Sequence, residues 1–171
     1  MITGIKVSGI EDTLKGISEA VKAKGRGFRS GMIAAGLYLE GACTESITNV
    51  LYSLPEAPEK KRKRTGNLRA SRFTIWTDGP IPVAPKFVEL PGEESPTESF
   101  DEAMIDSQKE VCEKDTPSQM RVIVGYGAHY ALFVHEGVEG KFEGFKWVEM
   151  ALREKQDNIV RLITTEVSQG H

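Results

Sequence analysis

A helical spacing of apolar residues is the clearest pattern in the first third of the chain. From Ile10 to Ile47, apolar side chains recur three, four or seven positions apart, the period of a helix with one apolar face. A single helix over this stretch would reach ~60 Å at 1.5 Å per residue, which suits an assembly of copies better than a compact domain. The series comprises Ile10, Leu14, Ile17, Val21, Phe28, Met32, Leu39, Cys43 and Ile47.

Six glycines fall within this helical pattern, and each costs about 1 kcal/mol relative to alanine inside a helix. Two interpretations are open: the helix breaks near Gly25–Gly27, or a set of small residues further on lets another helix approach closely. We favour a break or kink near Gly25–Gly27, followed by a continuous helix from about Phe28 to Val50. The small residues of the second interpretation are Gly31, Ala35, Gly36 and Gly41.

Alternating apolar and polar residues predict two short strands in the middle of the chain. The first runs from Arg69 to Thr77 and turns Phe73 and Ile75 to the same face. The second is predicted over residues 119–125. Because a long excursion joins the two strands, we expect them to pair antiparallel.

The excursion between the strands, residues 79–118, is rich in proline in its first half and in acidic residues in its second. Stretches of this length without regular structure are uncommon in compact domains, and they usually mark an insertion. Residues 100–111 predict a short helix within it, and a last helix is predicted from about Gly144 to Val167.

These elements predict a single α+β domain over residues 1–171. It has a long N-terminal helix, a small antiparallel sheet with a long acidic insertion, and a C-terminal helix. The hydrophobic fraction of 39% and the charged fraction of 27% are typical of a soluble globular protein. No stretch approaches the ~20 apolar residues that span a bilayer, and the first residues lack the pattern of a secretory signal. We expect Cys43 and Cys112 to be two reduced thiols.

The net charge of −3 hides an asymmetry along the chain. Residues 22–72 contain eleven lysines and arginines against four glutamates, whereas residues 89–115 contain ten acidic residues against two lysines. A basic and an acidic region in one small protein suggest complementary faces, which meet either within one subunit or between neighbours.

Two glycine-framed segments carry the most specific signal in the sequence. The first is TGNLRAS, from Thr65 to Ser71, and the second is VGYGAHYALFVHEG, from Val124 to Gly137. Their order, between a long first helix and a last helix, resembles the neck and tail-completion (head–tail joining) proteins of long-tailed bacteriophages.

The match to that family rests on a TG-x-L-R turn that opens the sheet and on a later YA-xx-VE-x-G segment. The matching residues are Thr65, Gly66, Leu68 and Arg69 in the first, and Tyr130, Ala131, Val134, Glu136 and Gly137 in the second, with His135 preceding the acid. The chain departs from the family pattern in two places. A Pro-Phe pair is replaced by Phe142, Phe145 and Trp147, and the excursion is longer.

The resemblance implies a structural protein of the virion, with no catalytic residue and no cofactor. Copies would form a homo-oligomeric ring, of six or twelve chains, at the head–tail junction. They would contact portal-adaptor, tail-tube or tail-terminator proteins, and the chain would be made in the cytoplasm of the bacterial host. The interface residues it implies are Thr65, Gly66, Asn67, Leu68, Arg69, Gly125, Tyr126, Gly127, Tyr130, Ala131, Glu136 and Gly137.

The chemistry of these residues is consistent with a role in contacts between subunits. Gly66 allows a turn with positive φ, and Gly125 and Gly127 allow tight turns between elements. Tyr126 and Tyr130 each combine a large ring with one hydroxyl, which suits a partly wet interface. Ordinary turn and core duty within one subunit is the alternative for all of them.

A compact cationic run at residues 60–64 offers a second function. It consists of Lys60, Lys61, Arg62, Lys63 and Arg64. The run could contact phosphates of DNA passing through a ring, lie in solvent, or pair with the acidic excursion of a neighbouring copy. The alternative function is therefore a nucleic-acid-binding module.

Catalytic and metal-binding patterns are weak in this sequence. His129 and His135 lie six positions apart, which is not the spacing of a helical HExxH zinc site, so we expect no metal centre. A pH-sensitive interface contact is the better hypothesis for these histidines. A small hydrolase would need a pocket in which one of them approaches a nucleophile or a metal, and we expect the chain not to be an enzyme.

Overall fold

The structure is a computed structural model that describes residues 25–53, 66–83, 101–114 and 120–169. Its elements confirm the α+β class, with a long helix, a small antiparallel sheet and a C-terminal helix in that order. They are α1 (Gly25–Ile47), a π-helical turn (Thr48–Tyr52), α2 (Asn67–Ala70), β1 (Arg72–Trp76), α3 (Glu102–Glu113), β2 (Val122–Tyr126), α4 (Ala131–Glu136), β3 (Gly137–Val138), β4 (Phe142–Glu143) and α5 (Trp147–Gln169).

Helices α1 and α5 pack side by side in opposite directions. The Asn158 side-chain amide donates to the Tyr38 hydroxyl at 3.0 Å near the middle of the pair. Near one end, a side chain on Gly27 would collide with the backbone carbonyl of Glu166. Small residues therefore let the two backbones approach closely along this seam.

The glycines of α1 correct one prediction and support another. Gly25 and Gly27 are both helical, so the continuous helix includes residues that the prediction placed at the break before Phe28. The residues before Gly25 lie outside the described part. Gly31 does provide close approach to a helix, because a Cβ there would meet the Ile163 backbone. Gly36 instead faces the sheet, where it accommodates the Val122 side chain.

Strands β1 and β2 form an antiparallel ladder with Arg72 opposite Tyr126 and Trp76 opposite Val122. The antiparallel prediction is therefore confirmed. The first strand is shorter than predicted, because residues 67–70 form a helical turn rather than extended chain. A second small ladder, β3 with β4, pairs Gly137 with Glu143 and was not predicted from the sequence.

The two faces of β1–β2 are covered by different helices. Gly36 of α1 lies against Thr74 and Val122 on one face. On the other face, Ile105 and Cys112 of α3 pack against the buried side chains of Phe73 and Ile75. We call this second cluster, Phe73, Ile75, Ile105 and Cys112, the outer core.

Helix α3 lies two residues further along the chain than the predicted 100–111, and α5 lies close to its predicted range. Asp101 caps α3 by accepting a hydrogen bond from the Met104 N–H at 2.8 Å. The structure thus places an ordered helix in the second half of the acidic excursion.

A larger cluster lies on the α1 side of the sheet, and we call it the motif core. It contains Ala42, Cys43, Ile47, Leu68, Tyr126, Ala128, Ala131, Trp147, Val148 and Ala151. Cys43 and Cys112 are both buried, one in each core, and they do not form a disulfide. Within the described ranges, no helix is long and apolar enough to cross a membrane.

Candidate functional site

The two glycine-framed segments, far apart in sequence, meet at one end of the β1–β2 ladder. The Gly127 N–H donates to the Ser71 carbonyl at 2.7 Å, which extends the ladder by one pair. Leu68 from the first segment and Ala131 from the second lie in the same motif core. The two motifs therefore build one structural unit.

Gly66 gives the first segment its shape. Its φ of 82° lies in the left-handed region, which confirms the predicted turn with positive φ. One helical turn follows, in which the Ala70 N–H donates to the Gly66 carbonyl at 2.9 Å. Leu68 points into the motif core with 3% of its surface exposed, and Asn67 is buried beside it.

Arg69 is half-buried and packs against the end of the first helix. Its guanidinium carbon is 5.1 Å from the centre of the Tyr52 ring, a cation–π geometry. Its Nη1 donates to the Thr48 hydroxyl at 3.3 Å, and its backbone N–H donates to the Tyr52 hydroxyl at 3.4 Å. Sequence reasoning missed Thr48 and Tyr52, which lie on the π-helical turn, because neither belongs to a motif.

Tyr126 occupies the motif core rather than a surface. Its ring meets the Trp147 ring edge-on, with 5.5 Å between centroids. Burial raises the pKa of its phenol, and Cys43 adds to that, while the neighbouring polar atoms of Thr44 and Trp147 offset only part of the rise. Of the buried side-chain atoms described, Tyr126 Oη and Trp147 Nε1 have no partner that reaches hydrogen-bond geometry. Tyr126 is thus placed for packing within its own subunit.

Gly125 lies in the ladder opposite Phe73, and a Cβ at this position would stand 2.7 Å from the Phe73 ring. Its role is therefore to make room for an aromatic side chain of the outer core. Gly127 is buried and bonded on both sides, because its carbonyl also accepts the Asp101 N–H at 2.7 Å. The second segment thus connects the ladder to the start of α3.

Tyr130 and His129 lie at the surface end of the second segment. Their rings are edge-on, with centroids 5.2 Å apart. Burial raises the pKa of the half-buried Tyr130 phenol, and the adjacent Tyr52 raises it further. Phe133, three residues on and so on the same side of α4, has 58% of its surface exposed. Arg69, Tyr52, His129, Tyr130 and Phe133 together form what we call the arginine–tyrosine surface.

His135 is fully buried where α4 meets α5. Its Nδ1 lies 2.8 Å from Glu136 Oε1, and its Nε2 accepts the Val148 N–H at 3.3 Å. Because Nε2 is an acceptor, Nδ1 carries the proton and donates to the carboxylate. The ring also lies edge-on to Trp147 at 4.7 Å. His135 therefore holds the start of α5 in place by bonding a backbone N–H of its first turn.

Glu136 is bonded on both carboxylate oxygens. Lys146 donates to Oε2, and this hydrogen bond is the main reason that the pKa of the carboxyl is lowered despite some burial. The hydrogen bond from His135 and the positive charge of Lys146 lower it further. Lys146 has a φ of 49°, an uncommon value for a residue with a side chain, and Gly137 after Glu136 also has positive φ. The acid of the motif thus fastens the β3–β4 hairpin to the start of the last helix.

The structure separates the two histidines considered as metal ligands. His129 is at the surface, whereas both ring nitrogens of His135 are engaged in the fold. In the ranges described, no group of three or more His, Cys, Asp or Glu is placed to hold a metal ion. Thr65 and the cationic run at 60–64 lie outside the described residues. No family model, curated protein or solved structure matches the chain.

Proposed function

We propose that this chain is a structural protein of a tailed-bacteriophage virion, a neck or tail-completion component that forms a homo-oligomeric ring at the head–tail junction. The observation that carries the proposal is the convergence of its two motif segments. The TGNLR-type turn and the GYG-xx-YA segment meet at Ser71 and Gly127 between a long first helix and a closing helix. This is the arrangement expected if both motifs serve one scaffold.

The chemistry of the motif residues supports adhesion rather than turnover. His135 and Glu136, the most reactive side chains of the second segment, bond to each other and to the backbone and Lys146. Leu68, Tyr126 and Ala131 are buried in the motif core. The motifs thus shape a rigid body, and a rigid body with a defined surface is what a ring subunit needs.

The composition of the arginine–tyrosine surface also supports adhesion. Tyrosine, phenylalanine and arginine are enriched at protein–protein contacts. The aromatic rings bury large areas, and arginine combines a long apolar stem with several hydrogen-bond donors. Tyr130 and Arg69 come from the two motif segments, and Phe133 lies between the matched positions of the second. The family motif therefore frames a surface with the composition of a contact site.

Deletion of the gene in the phage that carries it tests the proposal. We expect filled heads and separate tails in electron micrographs of the lysate, and normal particles when the wild-type gene is supplied in trans. Normal joining of heads and tails without the protein would contradict the proposed function.

A nucleic-acid-binding module is the second candidate, and one observation favours it. Arg69, which follows the cationic run by five residues, is partly exposed, with its guanidinium on Tyr52. The affinity of such a module for duplex DNA would fall steeply with salt, since the DNA releases counterions when its phosphates are bound. Tight, salt-sensitive binding by the isolated protein, with head–tail joining unaffected by deletion, would select this function instead.

A further inference from the structure

The guanidinium of Arg69 is held in place by few of its donors, as far as its partners within the described residues go. Stacking on Tyr52 and one bond to Thr48 fix its plane. Arginine has five N–H donors, and among the described residues only this one is used and no carboxylate lies within ion-pair distance. A stacked, fixed guanidinium of this kind is prepared to bind carboxylates, because its planar fork matches their two oxygens.

A rigid acidic face lies elsewhere on the same molecule. Four acidic residues follow one side of α3 at helical spacing, and all four are exposed. They are Glu102, Asp106, Glu110 and Glu113. We call them the acidic face of α3. Lys114 lies 3.5 Å from Glu110, and Lys109 lies 3.6 Å from Glu113, whereas Asp106 has no cation beside it among the described residues.

Helix α3, which carries the acidic face, is bonded to the rest of the fold near both of its ends. Lys109, which is 5% exposed, donates to the carbonyls of Trp76 at 3.1 Å and Gly79 at 2.5 Å. The Asp101 N–H fixes the other end of α3 by donating to the Gly127 carbonyl. The carboxylates of α3 are therefore presented on a fixed helix, as a docking surface requires.

The arginine–tyrosine surface and the acidic face belong to different sides of one subunit. Arg69 and Tyr52 lie beside the motif core, while α3 covers the outer core on the opposite face of the sheet. Both are anchored, and no ion pair joins Arg69 to α3 in the part of the chain described. A contact between the two surfaces therefore needs a second copy.

We propose that the arginine–tyrosine surface of one copy binds the acidic face of α3 of the next copy, with Arg69 donating to the carboxylate of Asp106 and its neighbours. This inference rests on the proposed function, since it names the contact by which copies form the ring. The contact is head-to-tail: each subunit offers one surface of each kind, and repetition closes a ring or extends a filament. Charge complementarity selects the partner, and the aromatic rings supply buried area.

Two isosteric variants test this contact, each removing one side of it. Arg69→Gln weakens the arginine–tyrosine surface and leaves the acidic face intact. The double variant Asp106→Asn with Glu110→Gln does the reverse. Sedimentation velocity at low salt, over protein concentrations up to about 1 mM, measures association, since weak contacts have Kd values in this range.

We expect the wild-type protein to associate beyond the dimer and to dissociate as salt is raised. Each variant alone should associate at least about tenfold more weakly, because a desolvated charge pair has lost one partner. An equimolar mixture of the two variants should form a species of two chains and stop there, since only one good contact remains per pair. Arg153→Gln, an exposed arginine of α5, is the matched control and should behave as wild type.

Four results would overturn the contact. A wild-type protein that stays monomeric at about 1 mM and low salt has no such surface. Variants that associate as the wild type does, or that fail to complement each other, would show that copies meet elsewhere. Loss of duplex-DNA affinity in Arg69→Gln, with association unchanged, would assign Arg69 to phosphate.

The variants also keep the two proposals apart. Circular dichroism and the melting temperature check that Arg69→Gln remains folded, and the α3 variants, which alter exposed side chains only, test the contact even if it does not. If deletion of the gene blocks joining but the variants associate normally, the contact fails and the neck function stands. If joining is normal without the gene, the neck function fails whatever the variants do.

Discussion

The two faces of the β1–β2 ladder are covered in different ways. One face carries the main core of the fold, and the other carries a smaller core that attaches a single acidic helix. On one face, the motif core joins both motif segments to α1 and α5 through ten buried residues. On the other, the outer core has four, and two of them come from the single helix α3. Lys109 supplements this smaller core by bonding two backbone carbonyls. The motif core fixes the fold, and the outer core positions one acidic helix on it.

The largest difference between the two cores is expected when Trp147 of the motif core is truncated. Its side chain is 1% exposed and contacts the rings of Tyr126 and His135. Trp147→Ala should lower the free energy of unfolding by about 4 kcal/mol, since it removes a large buried ring and leaves a cavity. Urea denaturation followed by circular dichroism measures the loss. Met150→Ala, at an exposed position on the same helix, is the control and should change stability by less than about 0.5 kcal/mol.

The same truncation in the outer core should have a more local effect. Ile105→Ala should cost about 3 kcal/mol, but largely by releasing α3 from the sheet rather than by unfolding the whole domain. The two buried thiols report this difference directly, because Cys112 lies in the outer core and Cys43 in the motif core.

Thiol labelling in native buffer is the measurement. In Ile105→Ala we expect Cys112 to react much faster than in wild type, while Cys43 stays slow; burial and the neighbouring Glu40 raise the pKa of Cys43 to about 12. Ser107→Ala, on the exposed side of α3, should leave both rates unchanged. Equal acceleration of both thiols would show that the two cores unfold as one unit.

Replacing Lys109 shows how much a buried charged residue contributes to the stability of the outer core. Lys109→Met keeps the length and the apolar stem, but it leaves the carbonyls of Trp76 and Gly79 without their donor. We expect a loss of about 2 kcal/mol in unfolding free energy, the cost of buried acceptors left unpaired. Lys114→Met, at an exposed position one turn on, is the control. If Lys109→Met is as stable as wild type, the apolar contacts alone hold α3.

Periodicity predicted the elements well where one face of each is buried. The spacing of Phe73 and Ile75 predicted the first strand, and an apolar stripe predicted α5. A short helix was predicted within the excursion, and the antiparallel pairing was inferred from the length of that excursion. The sequence did not reveal that residues 67–70 form a helix, because one helical turn is too short to have a period. It also gave no sign of the β3–β4 ladder, whose strands have two residues each.

The local backbone of the motif segments was easier to predict than the packing of their side chains. Gly66 has the expected positive φ. Tyr126, in contrast, is a core residue, and the sequence did not reveal this because its packing partner Trp147 lies twenty-one positions away. Tyr52 was missed for a similar reason, since its stacking on Arg69 depends on how α1 ends. Contacts of this kind come from tertiary packing, which single-sequence patterns do not encode.

The smallest expected effect concerns Glu136, which fastens the motif segment to the start of α5. Its pKa in the folded state lies below the usual 4.5, first because Lys146 donates to it and also because of His135. A lowered pKa means that the charged carboxylate stabilises the fold above pH 4.5, and that this contribution is lost as the pH falls through the folded-state value. Glu136→Gln should therefore be less stable than wild type near neutral pH, by less than about 1 kcal/mol because the group is partly exposed.

The pH profile distinguishes this charge effect from a packing effect. The difference in unfolding free energy between wild type and Glu136→Gln should be constant from pH 7 to about pH 5.5 and should shrink below pH 4.5. Glu154→Gln, at an exposed position on α5, is the control and should follow the wild type throughout. A difference that persists unchanged to pH 3 would mean that Glu136 contributes through hydrogen bonds that its amide analogue cannot form, and not through its charge. In that case His135, rather than the Glu136–Lys146 pair, would be the main fastener between the motif segment and the last helix.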